Sequence, residues 1–380
     1  MLPNDLALDI EHFGLEWIIL EHCIFGVDAN REAFAGLIME NRIDWGRLLD
    51  HAFRQKIVPM LVQRLVDLHL FRYCPSYLQS YLRLLLDYNK IKTEVYRKET
   101  RRIAMRFSES GIRYVCTKGI VLESSLYESA GYRSLSDIDF IVSPKDKNNV
   151  VSLLDGLGYV MGVYDWESRS PKEYSREQYL KYVITGNKIP NHFIVLHEGI
   201  LPCVYTGFDM SLGWTGFPYE VDVETALSHT STFSFMGDDV PISCFDCCYH
   251  YMYVILHLIK HAWSEYLQLT ENDCNLSQFC DVIRYWERYQ SELKSDFNRV
   301  VQEHDVLQPV LWVLEHTDRT FGTKIVEELS LKDKVDEEWL QTTVSKTGHK
   351  RLLRVSMREK LRLSDKNQVY LVLQRHKASK

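Results

Sequence analysis

The sequence predicts an α+β protein, a small α/β core with a mixed sheet flanked by N- and C-terminal helical regions. Three observations carry this. Apolar residues recur at helical spacing up to about residue 110 and again after residue 244. Between these stretches, short β-branched and aromatic runs alternate with helical ones. Turn residues punctuate the middle part, at Lys118-Gly119, Ser143-Pro144 and Gly156/Gly158. The expected organisation is a helical domain over 1–110, the core over 111–243, a second helical domain over 244–345 and a basic segment over 346–380.

The N-terminal elements follow from apolar spacing. Leu15 to Phe25 is strongly apolar, and Trp45, Leu48, Leu49, Ala52 and Phe53 share one helical face. Pro59 sits near a helix start, where its missing N–H costs little. Tyr77 to Ser108 is amphipathic with a basic later half: Lys90, Lys92, Arg97, Lys98, Arg101, Arg102 and Arg106. A solvated face is favoured for it over a wall facing phosphates. In the core, Ile112–Thr117 is a strand, Ile120–Glu128 a helix and Asp137–Val142 a second strand. Ser143 caps the next helix, with Pro144 at its first position. Tyr159–Tyr164 and His192–His197 are strands, and the Tyr-rich stretch 165–190 is an insertion or lid. Tyr249–Trp263 and Leu276–Tyr289 are buried helices.

Composition narrows the function. The chain has 380 residues, 46% hydrophobic and 26% charged, with net charge −7, so the whole protein is not a polyanion binder. No apolar run reaches the length of a membrane span, and Met1-Leu-Pro-Asn-Asp-Leu lacks the order of a secretory signal. The nine cysteines, an odd number, suit reduced thiols. A cytoplasmic protein without a membrane partner is expected. Cys244, Cys247 and Cys248, with His250 nearby, allow a zinc reading, but no second C-x-x-C pair exists, and buried thiols are favoured.

The chemistry concentrates between Lys118 and Val142. Asp137 and Asp139 stand one residue apart on a strand, so both carboxylates point to the same face. Adjacent like charges repel unless a cation sits between them, and magnesium prefers carboxylate oxygens. Asp137 and Asp139 are therefore the candidate catalytic metal ligands. Gly119 permits close approach of phosphate to backbone, and the following helix start favours anions. Lys118 and Arg133 supply positive charge, and Ser134 and Ser136 supply hydroxyls, to a bound nucleotide. A glycine-led turn, a helix and an Asp-x-Asp strand together form the arrangement of a metal-dependent nucleotidyl-transfer site.

The run Lys118-Gly119-x6-Leu126-Tyr127-x5-Arg133-x3-Asp137-Ile-Asp139-x2-Val142 resembles the uncharacterised bacterial nucleotidyltransferase family of the DNA polymerase β superfamily. Ile43-Asp-Trp-Gly-Arg-Leu-Leu49 with Ile57-Val-Pro-Met-Leu61 is similar to that family's N-terminal signature. His257-Leu-Ile-Lys-His261 and Asp281 resemble its later helices. The resemblance spans roughly residues 40–290. It implies a polymerase-β-like core, a nucleoside triphosphate donor (ATP by expectation) and magnesium bound by Asp137 and Asp139; it implies no known acceptor, for which a small molecule or peptide is the expectation. Nucleic acid is a less favoured partner.

Two departures stand out. The family's later strand usually carries an acid two residues before its His, where this chain has Val195 before His197. Glu198 is the candidate catalytic replacement if a bulge turns it inward, with Glu220, Asp222 and Glu224 as alternatives on a possible further strand. The Gly-Ser turn of the wider superfamily is replaced by Lys118-Gly119. Without a third acid the chain reads instead as a decayed nucleotide- or partner-binding module.

Two further features stay open in the sequence. His257 and His261 are spaced to share a metal, although cleft or core histidines are favoured. After Ser345, eleven Lys and Arg face only Glu359 and Asp365. A packed segment with a basic face, including a possible strand at Val369–Leu373, is favoured there over nucleic-acid binding, which would make tRNA or protein the acceptor.

Overall fold

The structure is a computed structural model and describes residues 3–26, 30–127, 130–214, 217–263, 273–344, 350–353 and 355–362. In chain order the main elements are helices α1 (Pro3–Phe13), α2 (Leu15–Cys23), α3 (Arg31–Glu40), α4 (Trp45–Arg54), α5 (Val58–Asp67) and α6 (Ser76–Glu109). Then come β1 (Tyr114–Thr117), α7 (Gly119–Leu126), β2 (Ile138–Val142), α8 (Lys147–Gly156), β3 (Val160–Met161), β4 (Val163–Asp165), β5 (Ser170–Lys172), α9 (Arg176–Thr185), β6 (Lys188–Val195) and β7 (Cys203–Asp209). The chain continues with α10 (Val223–Ala226), β8 (Thr230–Phe233), β9 (Ile242–Phe245), α11 (Cys247–Trp263), α12 (Leu276–Glu303) and α13 (Leu307–Phe321). The mixed α+β architecture is the one the sequence predicts. Among the described residues no helix is long and apolar enough to cross a membrane.

Two compact units emerge, Asp87–Tyr253 and a second made of Met1–Leu86 with Val254–Lys380. In the first, five strands form one sheet in the order β1-β2-β7-β6-β3. β2 and β7 run parallel and the other neighbours antiparallel, so the sheet is mixed. Alternation along β2 sends Ile138, Phe140 and Val142 into a core shared with Phe208 of β7, Phe107 of α6 and Leu154 of α8. The Phe140 and Phe208 rings stack at 5.4 Å. The opposite face of β2 carries Asp139. The stretch 165–190 forms the β4–β5 hairpin and α9, whose Ser175 and Gln178 make a capping box. Residues 220–224 form no strand. Asp222 caps the short α10, because its carboxylate is close enough to accept from Thr225 N–H.

In the second unit, N- and C-terminal helices share one core. Gln55 at the end of α4 accepts from Leu276 N–H and donates to Leu361 O, both at 2.8 Å. Arg284 donates to Ile24 O and Phe25 O. The helix expected to stop at Tyr289 kinks there and continues to Glu303. Basic residues of the C-terminal segment serve this packing. Arg358 pairs with Asp9 and Glu21 and lies over Phe13, while Lys360 is buried against Ala262 O and Asp273. The possible strand at Val369–Leu373 lies outside the described residues. All nine cysteines are free thiols, eight buried and Cys247 partly so. Among the described residues no three His, Cys, Asp or Glu side chains form a group able to hold a metal.

Phe140→Ala would remove a fully buried ring from between Phe208, Phe107 and Tyr114. A loss of about 3–5 kcal/mol in stability is expected, read by denaturant unfolding.

Candidate active site

Asp137 immediately precedes β2 and Asp139 is its second residue, and together they bracket Ile138 on one face as the spacing requires. β1 ends beside them, since Thr117 pairs with Asp139. The chain then turns through Lys118 into α7. Lys118 has φ 49° and ψ −129°, a backbone conformation that glycine adopts freely and other residues at a cost of about 1–3 kcal/mol. The strained residue thus stands directly between β1 and α7, beside Asp139. A Cβ on Gly119 would meet Arg133 Nη1 at 3.3 Å and Leu135 Cδ2 at 3.2 Å, so the turn, α7 and the Arg133 loop pack without room for a side chain. The first intrahelical bond of α7 runs from Leu122 N–H to Lys118 O, which leaves the amides of Gly119, Ile120 and Val121 at its open end.

The loop bearing Arg133, Ser134 and Ser136 is braced by α6. Asn89 donates to Gly131 O and Arg133 O, and Tyr96 donates to Ser136 O at 2.9 Å. Gly131 has φ 87°, and a Cβ there would collide with the Lys90 backbone at 2.9 Å. Its N–H donates to buried Glu123, which Arg97 of α6 neutralises at 3.1 Å. Part of the basic α6 face therefore looks inward rather than to solvent. Burial pushes the Lys92 ammonium below the usual lysine range, an effect that nearby Asp137 opposes. Ser136 Oγ donates to Asp137 Oδ1 at 2.6 Å.

A third carboxylate joins the pair, and it is not the expected one. Asp209 at the end of β7 lies on the same face as Asp139, because β7 runs parallel to β2 with Gly207 opposite Asp139 and Asp209 opposite Ile141. Lys118 Nζ lies 3.2 Å from Asp139 Oδ1 and 3.6 Å from Asp209 Oδ2. Its ammonium is thus directed to the acids and not outward to an open phosphate cradle. Lys188, opposite Asp209 on β6, reaches Asp209 Oδ1 at 3.9 Å, and Tyr253 of α11 donates to Asp209 Oδ2 at 3.5 Å.

Glu198, by contrast, is not brought to the aspartates. It lies exposed in the bend beyond β6, a strand separated from β2 by β7. Past Gly207 the ladder still runs four residues, about 13 Å, to Cys203 opposite Val195 before that bend begins. Val195 itself packs with Tyr164, Phe193, Cys203 and Tyr205. Glu224 is drawn away to Arg113 and Ser143. His257 and His261 meet at 3.3 Å between their Nε2 atoms, in the other unit.

The electrostatics follow from this crowding. Burial, Asp137 and Asp209 raise the pKa of Asp139 while Lys118 and Lys188 lower it, leaving it at about 6 against 3.8. Burial opposes the charge on Lys118, but Asp139, Tyr253 and Asp209 outweigh it and hold the ammonium well above the usual lysine range. Three carboxylates thus face two ammonium groups, a net negative charge built from hard oxygen donors. Among them Asp137 and Asp139 supply the hard oxygen donors that a divalent cation takes, although the three acids form no three-ligand cage. Gly207 makes room for the Asp139 carboxylate, since a Cβ there would stand 3.1 Å from Asp139 Oδ1.

The family described as uncharacterised nucleotidyltransferase matches residues 41–322. The chain belongs to that family. A crystal structure of an antigenic nucleotidyltransferase-like protein from Paracoccidioides brasiliensis is similar at 16% identity and TM-score 0.32, covering 57% of this chain and 92% of that one. No curated protein matches.

A raised acid pKa sets a sign. Between about pH 4 and 6 the unfolded chain releases the Asp139 proton and the folded chain keeps it, so metal-free stability falls as pH rises through that window. Asp139→Asn is expected to flatten this dependence. Thermal unfolding of the unaltered chain and the variant across pH checks this.

Proposed function

We propose that this family member transfers a nucleoside monophosphate, AMP from ATP, to a small-molecule or peptide acceptor. The observation that carries the reading is the pair Asp137 and Asp139 on one strand face beside the open end of α7, with Asp209 as a third acid. An acceptor oxygen or nitrogen attacks the α-phosphorus, the bond to the bridging oxygen breaks, and pyrophosphate leaves while the acceptor loses its proton. Asp137 and Asp139 would hold magnesium, which when bound would shield the phosphate charge. The amides of Gly119 and Ile120 cradle phosphate oxygens, and the planar fork of Arg133 neutralises the leaving pyrophosphate. Ser134 and Ser136 lie on the same braced loop, where Ser136 also orients Asp137.

A second reading, a binding module that has lost turnover, is favoured by one observation. Gly207 stands where a carboxylate level with Asp139 would be, and Asp209 lies two residues further along β7. A macromolecular acceptor gains no support from the tail, where Arg358 and Lys360 serve internal packing.

Calorimetry with ATP and magnesium should show binding that Asp137→Ala or Asp139→Ala weakens at least tenfold. With the correct acceptor, pyrophosphate release should fall by about a thousandfold or more in either variant, whereas Glu198→Gln should release it at the unaltered rate. Binding without release across an acceptor panel would favour the non-catalytic module, and no ATP binding at all would refute both.

A further inference from the structure

Two-ion nucleotidyl-transfer chemistry places one ion between the Asp-x-Asp pair and the triphosphate, and the other among all the acids. In this chain the space among the acids is already taken by a side chain. Lys118 Nζ lies within salt-bridge distance of both Asp139 and Asp209, at 3.2 and 3.6 Å, and 5.5 Å from the centre of the Tyr253 ring. The lysine is held there from several sides. Its side chain is only 13% exposed, Tyr253 and Lys188 both reach Asp209, and the backbone is committed to a conformation that costs energy for any residue but glycine. A lysine that served only to meet phosphates from the turn would have no need to point down into the sheet. The placement also accounts for the absence, among the described residues, of a three-carboxylate cage, since the ammonium lies between Asp139 and Asp209.

We infer that Lys118 is a built-in substitute for one of the two ions, so that this protein binds its nucleotide with a single divalent cation, held by Asp137 and Asp139, while the lysine ammonium balances Asp139 and Asp209. A lysine delivers one positive charge where a divalent ion would deliver two. The Lys188 ammonium beside Asp209 supplies another. Asp209 is then a positioning residue that holds Lys118, and not an ion ligand. The lysine cannot acidify a bound hydroxyl as a metal does, so acceptors with an already nucleophilic group, such as an amine, suit the site better than alcohols. The inference rests on the nucleotidyl-transfer reading above.

The test counts ions without needing turnover. The full chain is equilibrated with the α,β-methylene analogue of ATP and increasing Mn2+, and bound Mn2+ per chain is measured by electron paramagnetic resonance. One ion is expected. Lys118→Met should admit a second, doubling the count, and Asp209→Asn should leave the count at one. Circular dichroism verifies that each variant folds. If Lys118→Met does not fold, the unaltered chain and Asp209→Asn carry the test by themselves. Two ions in the unaltered chain, dropping to one in Asp209→Asn, would overturn the inference and leave nucleotidyl transfer standing. A folded Lys118→Met that stays at one would also overturn it. Failure of the analogue to bind at any Mn2+ concentration would instead sink the nucleotidyl-transfer reading itself.

Discussion

The ammonium of Lys118, set between Asp139 and Asp209, is the interaction on which the rest of the site depends. Three carboxylates gathered on one face of a buried sheet repel one another, and burial deprives them of the water that would screen them. Lys118 and Lys188 supply part of the compensation. The remainder shows as the reluctance of Asp139 to ionise, with its pKa lifted to about 6. A site left short of positive charge is one prepared to receive a cation. The strained backbone of Lys118 is the cost of putting an ammonium at a position where glycine would sit without strain.

The sheet makes this crowding possible, and α6 makes it stable. The stacked Phe140 and Phe208 lock β2 against β7 from the apolar side, so register fixes the polar side. Asn89, Tyr96 and Arg97 hold the Arg133 loop through its carbonyls and through Glu123. Two other arginines of that helix pair locally, Arg102 with Glu99 and Arg106 with Glu109, and Arg101 reaches Asp238. In a run of positive charge that resembles a polyanion surface, four arginines are thus paired with acids of the protein itself. The same holds for Arg358 and Lys360, whose partners are acids and a carbonyl of their own unit.

Local chemistry explains which parts were legible from sequence. The mixed α+β character, the Lys118-Gly119 turn, the Asp137/Asp139 pair and the Ser143-Pro144 helix start all arise from neighbouring residues, through side-chain alternation, backbone preference and capping. β7 was missed, and with it Asp209. Its run Val204-Tyr-Thr-Gly-Phe has strand character, but Gly207 interrupts it as a turn residue would. That glycine was the available signal. In a strand interior it marks a close approach, and what approaches is the Asp139 carboxylate.

The sequence by itself determined that two carboxylates share a strand face at the mouth of an apolar core, because alternation with period two needs no partner. Only the tertiary structure decided which acid joins them, because Asp209 is distant in the chain and reaches Asp139 solely through the pairing of β2 with β7. It also decided where the Lys118 ammonium goes. A side chain with four rotatable bonds follows the charges that the fold gathers around it, and no local pattern records them.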